Sequence, residues 1–271
     1  MADWSLEKMV KKEYRNVEKT LIIPDIHCPY EDKGAVHAVV AFSKEYKPDK
    51  IKILGDIVDF YALSKFDKEP DRITGLQKEI DVAQYYLDLI RKSNPKADIT
   101  LFEGNHEIRL MKYLRKNPEI SSLRSIRSAD RLLEVSKFNI KYRTNEIHHG
   151  ILVKHGNVVR KHSAYTAKGE FDNEGTSGIS GHTHRLSAHY ITNRNGQHAW
   201  YEMGHLCDEN QAEYMEGKVP NWQKGFGLVE YDKDRKIWRV EQIPIIGDSF
   251  IYGSKTYKWR SNQKFEDRDS L

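Results

Sequence analysis

The sequence is poor in cysteine. Cys28 and Cys207 are the only two in 271 residues, too few for a disulfide scaffold and in keeping with a reducing, cytoplasmic setting. No apolar run is long enough to span a bilayer, and the mean hydropathy is −0.74. The charged stretch from Met1 to Lys19 contains no apolar leader core, so secretion is not expected. A strong charge of either sign is missing too: 44 Lys and Arg stand against 40 Asp and Glu, a net of +4. That balance neither marks nor excludes a nucleic-acid partner, and the placement of the charges decides more than their sum. Internal repeats and low-complexity linkers are absent. What is left is a polar chain of a length that one elaborated domain accounts for.

Histidine, by contrast, is plentiful, with 12 residues. The stretch Ile51 to Tyr61, IKILGDIVDFY, shows how chemistry is placed along this chain. A β-branched and leucine run ends in Gly55 and delivers Asp56, with Asp59 three residues on. Buried parallel strands end this way, and a carboxylate left there is costly unless a cation meets it. The punctuation recurs. Thr20 to Ile23 leads to Asp25 and His27, and Asp98 to Phe102 leads to Gly104-Asn105-His106-Glu107. Ile151 to Lys154 leads to His155-Gly156, and Gly178 to Ser180 leads to Gly181-His182-Thr183-His184. Asp25 and His27 are two apart, which on an extended backbone turns both side chains the same way. Cys28 reads as a packed, structural thiol.

Helical periodicity over Lys33 to Tyr46 and Ile73 to Lys92 alternates with the first three strands, predicting β-α-β units with right-handed crossovers. Past Tyr142 the pattern turns strand-rich, with further strands expected at Ala188 to Thr192, His198 to Met203, Gly225 to Tyr231 and Lys236 to Ile243. Residues 1–19 read as a charged N-terminal extension, 20–248 as the folded domain, and 249–271 as a polar C-terminal surface tail. Within the domain, 109–140 reads as a helical basic insertion carrying Arg109, Lys112, Arg115, Lys116, Arg124, Arg127 and Arg131.

Ligands of an open α/β sheet gather outside the carboxyl ends of its strands, so the five motifs are expected to converge. Their donors are oxygen and nitrogen with no thiolate, a set that suits a hydrolytic metal centre better than a structural zinc knot. Taken together and in this order, they resemble the calcineurin-like metallophosphoesterase superfamily. The resemblance implies an α/β fold, a β-sandwich of two mixed sheets flanked by α-helices. It also implies two divalent metal ions, Mn²⁺ or iron first, with Zn²⁺ or Mg²⁺ as alternatives. Asp25, His27 and His184 would hold one ion, Asn105, His155 and His182 the other, and Asp56 would bridge them. His106 matches the family's catalytic histidine, which protonates the leaving oxygen, and Asp59 would orient it. Two divalent ions less Asp25, Asp56 and a bridging hydroxide leave about one positive charge to meet a phosphoryl group. The implied reaction is phosphoester hydrolysis by a metal-activated hydroxide, with Asn105 and Arg109 as substrate contacts. His148, His149, His162, His189, His198 and His205 match no ligand motif. His205 stands apart from the others because Gly204-His205 also follows a strand.

The substrate is less legible. Phosphoprotein phosphatases of the superfamily carry G-D-x-V-D-R-G, whereas Phe60 and Tyr61 follow Asp59 here, so that motif's phosphate-binding Arg is missing. The chain looks more like bacterial and phage metallophosphoesterases, some grouped with DNA-repair exonucleases of the Mre11/SbcD type. With the basic segment beside a catalytic motif, and Phe60, Tyr61 and Tyr113 as stacking surfaces, the expectation is a phosphodiesterase or nuclease acting on DNA, RNA or a nucleotide. The alternatives are a phosphomonoesterase or cyclic-nucleotide phosphodiesterase for small substrates, and a non-catalytic scaffold that keeps the fold.

Overall fold

The computed structural model describes residues 16–260 apart from 66–67, 69–73, 124–125 and 210–218. Most of the expected N-terminal extension, the first residue of the expected second helix, Ile73, and Arg124 therefore lie outside the described residues. Four parallel strands form one side of the first sheet: β1 (Val17–Ile23), β2 (Lys50–Ile53), β3 (Asp98–Phe102) and β4 (Lys141–Arg143). Antiparallel β10 (Gly225–Asp232) and β11 (Ile237–Pro244) complete it in the order β11-β10-β1-β2-β3-β4. The second sheet contains β5 (Asn145–His148), β6 (Ile151–Lys154), β7 (Gly178–Ser180), β8 (Leu186–Asn193) and β9 (Gly196–Met203). Its order is β5-β6-β7-β9-β8, with β6, β7 and β9 parallel.

The alternation of side chains along each strand builds the layers. Ile51 and Ile53 of β2 face α1 (Lys33–Tyr46) and α2 (Leu76–Ser93), in one core with Val36, Val39, Ile80 and Leu87. In the other direction Ile22, Leu54 and Phe102 meet Ile151, Val153, Ile179 and Met203 of the second sheet. On the far side of that sheet, Ala167 and Phe171 of α6 (Tyr165–Glu174) pack on Leu152 and Trp200. Each fully buried aliphatic side chain contributes about 1.5–3 kcal/mol. The result is two mixed sheets face to face with helices outside. Lys52, which alternates with Ile51 and Ile53, points the other way and is fully buried. Its ammonium donates to the Glu146 carboxylate of β5 at 2.9 Å and to Thr100 at 3.1 Å, which ties the two sheets together.

The local chemistry explains the helix limits. Asp32 caps α1 by accepting from the Ala35 amide at 3.0 Å, and Lys47, at φ +52, ends it just before Pro48. The basic insertion resolves into α3 (Glu107–Lys116), α4 (Pro118–Ser121) and α5 (Ala129–Leu132), with Pro118 separating the first two.

The C-terminal surface tail is corrected in part. Ser249–Tyr252 and Lys255–Lys258 pair as the hairpin β12-β13. Phe250 is buried, stacked on Tyr257 at 4.9 Å and edge-on to Phe42 of α1 at 5.6 Å. Trp259 lies so close to Gly34 that a β-carbon there would stand 2.2 Å from the indole nitrogen. Polar neighbours hide this period-two aromatic signal in the sequence. Residues 261–271 lie outside the described residues.

Candidate metal centre

Parallel strands send their following loops to the same edge. β1, β2 and β3 of one sheet and β6 and β7 of the other deliver all five motifs there. The loops hold their side chains by unusual backbone. Asp25 (φ +33), His27 (+58), Asp56 (+47), His182 (+70) and His184 (+59) all lie in the left-handed region. Each such residue costs on the order of 1–3 kcal/mol and persists only where its surroundings over-determine it. Asp25 and His27 thus reach the same place through two tight turns and not through strand alternation. Two glycines are needed because carboxylates press on them: a β-carbon on Gly104 would stand 2.1 Å from Asp56 Oδ1, and one on Gly181 would stand 2.1 Å from Asp25 Oδ2.

Two groups of donors result. In the first, His155 Nδ1 donates to the Leu54 carbonyl at 2.9 Å, so in the neutral, metal-binding form of the ring Nε2 carries the lone pair. That nitrogen faces Asn105 Oδ1 at 2.9 Å, His182 Nδ1 at 3.2 Å and Asp56 Oδ2 at 3.3 Å. In the second, His27 Nε2 and His184 Nε2 approach to 3.0 Å, with Asp25 Oδ1 3.7 Å from the latter. His27 Nδ1 lies 3.4 Å from Asp59 Oδ1, which leaves its Nε2 to face the group as an acceptor. Asp56 Oδ2 stands between the two groups, 3.7 Å from His27 Nε2 and 3.3 Å from His155 Nε2, while Oδ1 accepts from the His106 amide at 2.9 Å.

Acceptor atoms packed this closely repel one another unless cations lie among them, and the donor types suit hard or borderline divalent ions. The electrostatics agree. Burial and the neighbouring Asp56 charge push the Asp25 carboxyl up to about 8. Burial opposes ionisation of Asp56 too, but the surrounding histidines outweigh it and hold that carboxyl well below the usual range. Burial lowers His27 and His184 from their ordinary value, and burial with the His155 charge takes His182 down to about 4. Burial opposes the charge on His155 as well, but the Asp56 and Asp25 charges outweigh it and raise this imidazole to about 10, so an ion bound there must displace its proton. Neutral imidazole is the metal-binding form. The residues present therefore fit a pair of divalent ions.

His106 sits beside these groups. Its Nδ1 lies 2.5 Å from Asp59 Oδ1 and 2.8 Å from the Asp59 carbonyl. Arg109, the expected substrate contact, donates to the Asp59 carbonyl at 2.8 Å and to His106 Nε2 at 2.9 Å. Burial pulls the imidazole down, but the Asp56 charge and the Asp59 hydrogen bond outweigh it and raise His106 above its ordinary value. Phe60 is fully buried and Tyr61 half-buried against Tyr30. Phe60 is thus a core residue and not a stacking surface.

Three buried carboxylates outside the expected ligand set anchor the loops. Glu107 accepts from the amides of Asp56 (2.9 Å), Ile57 (3.0 Å), Val58 (3.4 Å) and Gly104 (2.7 Å). Glu170 accepts from Asn157 and Val158, just past His155, and pairs with Lys154. Glu202 accepts from the hydroxyls of Thr183 and Ser187, which flank His184. Each has a faint sequence signal: Glu107 closes a motif, Glu170 lies beside Phe171 on a buried helix face, and Glu202 interrupts the apolar run AWYEM.

A family model for calcineurin-like phosphoesterases matches residues 18–228. The Gene 54 protein of Mycobacterium phage D29 is 28% identical over 246 residues, covering 86% of this chain and 96% of that protein. Its counterpart in Mycobacterium phage L5 is 26% identical over 255 residues, covering 89% and 99%. Among solved structures, vacuolar protein sorting 29 from Cryptosporidium parvum aligns over 84% of this chain and 98% of its own, at 13% identity and a TM-score of 0.41. YfcE, a phosphoesterase from E. coli, aligns over 79% and 91%, at 12% identity and a TM-score of 0.35. The family match runs from β1 into β10 and takes in every strand-end motif described above, so the chain belongs to the calcineurin-like phosphoesterases, a family of metal-dependent enzymes.

Proposed function

We propose that the protein is a dinuclear metal-dependent phosphodiesterase acting on nucleic acid or nucleotides. The observation that carries the metal centre is the place of Asp56 Oδ2 between two groups of imidazole and carbonyl donors. Asp25, His27 and His184 would hold one divalent ion, Asn105, His155 and His182 the other, and Asp56 both. Such a pair, when bound, supplies an acidified water and positive charge for the phosphoryl oxygens.

His106 is the general acid in this reading and Asp59 its positioning residue. Asp59 accepts from Nδ1, which leaves Nε2 to deliver a proton to the leaving oxygen. Arg109 holds Nε2 in the resting arrangement. Its guanidinium must leave that nitrogen before a proton can be carried there, which frees the cation for an anionic phosphoryl oxygen. The preference for a diester of a larger anion rests on the exposed Lys112, Arg115 and Lys116 of α3, the helix that follows His106, on the exposed Arg127 and Arg131 further along the same segment, and on Tyr113, 38% exposed. Among the described residues, no helix is long and apolar enough to cross a membrane.

The test is a substrate panel in Mn²⁺: bis-p-nitrophenyl phosphate, p-nitrophenyl phosphate and labelled single-stranded DNA. Cleavage of the diester and of DNA is expected, with His106→Ala lowering kcat by about 10²–10⁴-fold at unchanged metal content. Cleavage of the monoester alone would transfer the protein to the phosphomonoesterases. A His106→Ala variant equal to wild type on every substrate would remove the assignment of His106.

A further inference from the structure

A buried cluster beside the metal centre has no role in the reaction above. It lies where the chain leaves β9, in Gly204-His205-Leu206-Cys207-Asp208-Glu209. The Leu206 amide donates to the Asp25 carbonyl at 3.0 Å, which joins this segment to the first motif. His205 is fully buried and Cys207 is buried. Cys207 Sγ lies 3.1 Å from His205 Nδ1 and 3.9 Å from His184 Nδ1. His205 Nε2 lies 3.2 Å from Glu209 Oε1, and the His184 and His205 rings stack at 5.0 Å.

The hydrogen-bonding capacities of these groups leave one consistent direction. The Glu209 carboxylate lies 3.2 Å from His205 Nε2, outside hydrogen-bond geometry but close enough to favour the proton on that nitrogen. His205 Nδ1 is then a lone pair and accepts from the Cys207 thiol. The sulfur is left to accept from His184 Nδ1–H, and the lone pair of His184 falls on Nε2, the atom that faces His27 Nε2 at 3.0 Å. Each link orients the next, from the partly exposed Glu209 to the metal-facing nitrogen.

We propose that His205 and Cys207, with the Glu209 carboxylate beside His205 Nε2, form a hydrogen-bonded relay that sets the tautomer and ring orientation of His184, making Cys207 and His205 positioning residues for the metal ion that His184 holds. This rests on the metal-centre reading above. Partners of this kind typically alter metal affinity about 10–100-fold when removed. They differ from ligands in that the ion can still bind, only more weakly. The relay also accounts for a histidine and a cysteine at a strand end that no ligand motif uses.

The experiment is titration of metal-free, full-length protein with Mn²⁺ alone, followed calorimetrically, and with Co²⁺ alone, followed by its visible absorption. Wild type, Cys207→Ala, Cys207→Ser, His205→Gln and Glu209→Gln are compared, with circular dichroism to verify folding. Wild type is expected to take up two equivalents. Cys207→Ala and His205→Gln are expected to weaken one equivalent about 10–100-fold and leave the other as it was, with a changed Co²⁺ spectrum. Cys207→Ser, which keeps a hydroxyl that can donate and accept, is expected to recover part of the loss. Should Cys207→Ala not fold, Cys207→Ser and the exposed-end variant Glu209→Gln still report, each with a smaller loss on the same equivalent. Two equivalents bound with wild-type affinity in every folded variant would overturn the relay while leaving the metal centre intact. A third equivalent in wild type that Cys207→Ala abolishes would also overturn it, since the cluster would then be a ligand set. A wild type that binds no metal would overturn both readings.

Discussion

Asp56→Asn is expected to lower phosphoester hydrolysis by about three orders of magnitude, which corresponds to about 4 kcal/mol of transition-state stabilisation. It is also expected to remove at least one of two bound metal equivalents. The reasoning starts from one carboxylate with divided duties. Oδ1 is spent on the His106 amide at 2.9 Å, which leaves Oδ2 as the atom that both donor groups share. The substitution keeps the shape but replaces half of the charge-bearing oxygen pair with an amide. It also removes the charge that outweighs burial and raises His155 to about 10, stability that is present at neutral pH and lost as pH rises through that value. The metal-free variant is therefore expected to fold with a lower melting temperature than metal-free wild type at pH 7. Turnover of bis-p-nitrophenyl phosphate, metal analysis by mass spectrometry and a thermal melt measure the three effects. A variant that keeps two metal equivalents and more than about a tenth of wild-type turnover would contradict the bridging role.

The largest loss of stability is expected at Glu107, which binds neither metal nor substrate in this account. Its carboxylate gathers four amide donors from two different loops, and it is fully buried at the start of α3. Glu107→Ala leaves those N–H groups without partners in a dry interior. Each such group costs about 1–3 kcal/mol, and with partial relaxation the total falls at about 3–5 kcal/mol. For a chain of this size that is a fall in melting temperature of about 6–20 °C. Glu107→Gln keeps one acceptor oxygen but turns an NH₂ against amide donors, so an intermediate loss is expected. Because the anchored loop carries Asp56 at φ +47, metal affinity is expected to fall with stability. A melting temperature within about 1 °C of wild type would show that the four bonds hold nothing in place.

The contrast between these two residues indicates what can be read from the sequence. Asp56 is visible because an apolar run, a glycine and a carboxylate in succession have few meanings in a soluble α/β chain. The same punctuation places Asp25, His27, Asn105, His106, His155, His182 and His184, and the parallel strands bring them together. Glu107 is visible as a letter in a motif, but its partners are main-chain amides, which have no sequence signature. Glu170 is hidden for the same reason, and Glu202 because its hydroxyl partners, Thr183 and Ser187, lie 15 to 19 residues away with no spacing signal. The backbone is hidden as well. The spacing of Asp25 and His27 suggests an extended pair, whereas both residues adopt left-handed turns that other parts of the fold enforce. Phe60 looks like an exposed aromatic beside a catalytic motif, yet it turns into the core. Arg109 is legible as a cation beside the catalytic motif, but its contact to the Asp59 carbonyl is not. The hairpin over Ser249–Lys258 is a milder case: Phe250, Tyr252 and Tyr257 alternate correctly, but the polar residues between them dominate the average.

One carboxylate, Asp56, is expected to join two metal ions between the two sheets. Anomalous diffraction at the manganese edge, from crystals grown with Mn²⁺, tests it most directly. Two peaks are expected, one on either side of Asp56 Oδ2, the first among Asp25, His27 and His184 and the second among Asn105, His155 and His182. Peaks placed elsewhere, or none within bonding distance of Asp56, would contradict the account.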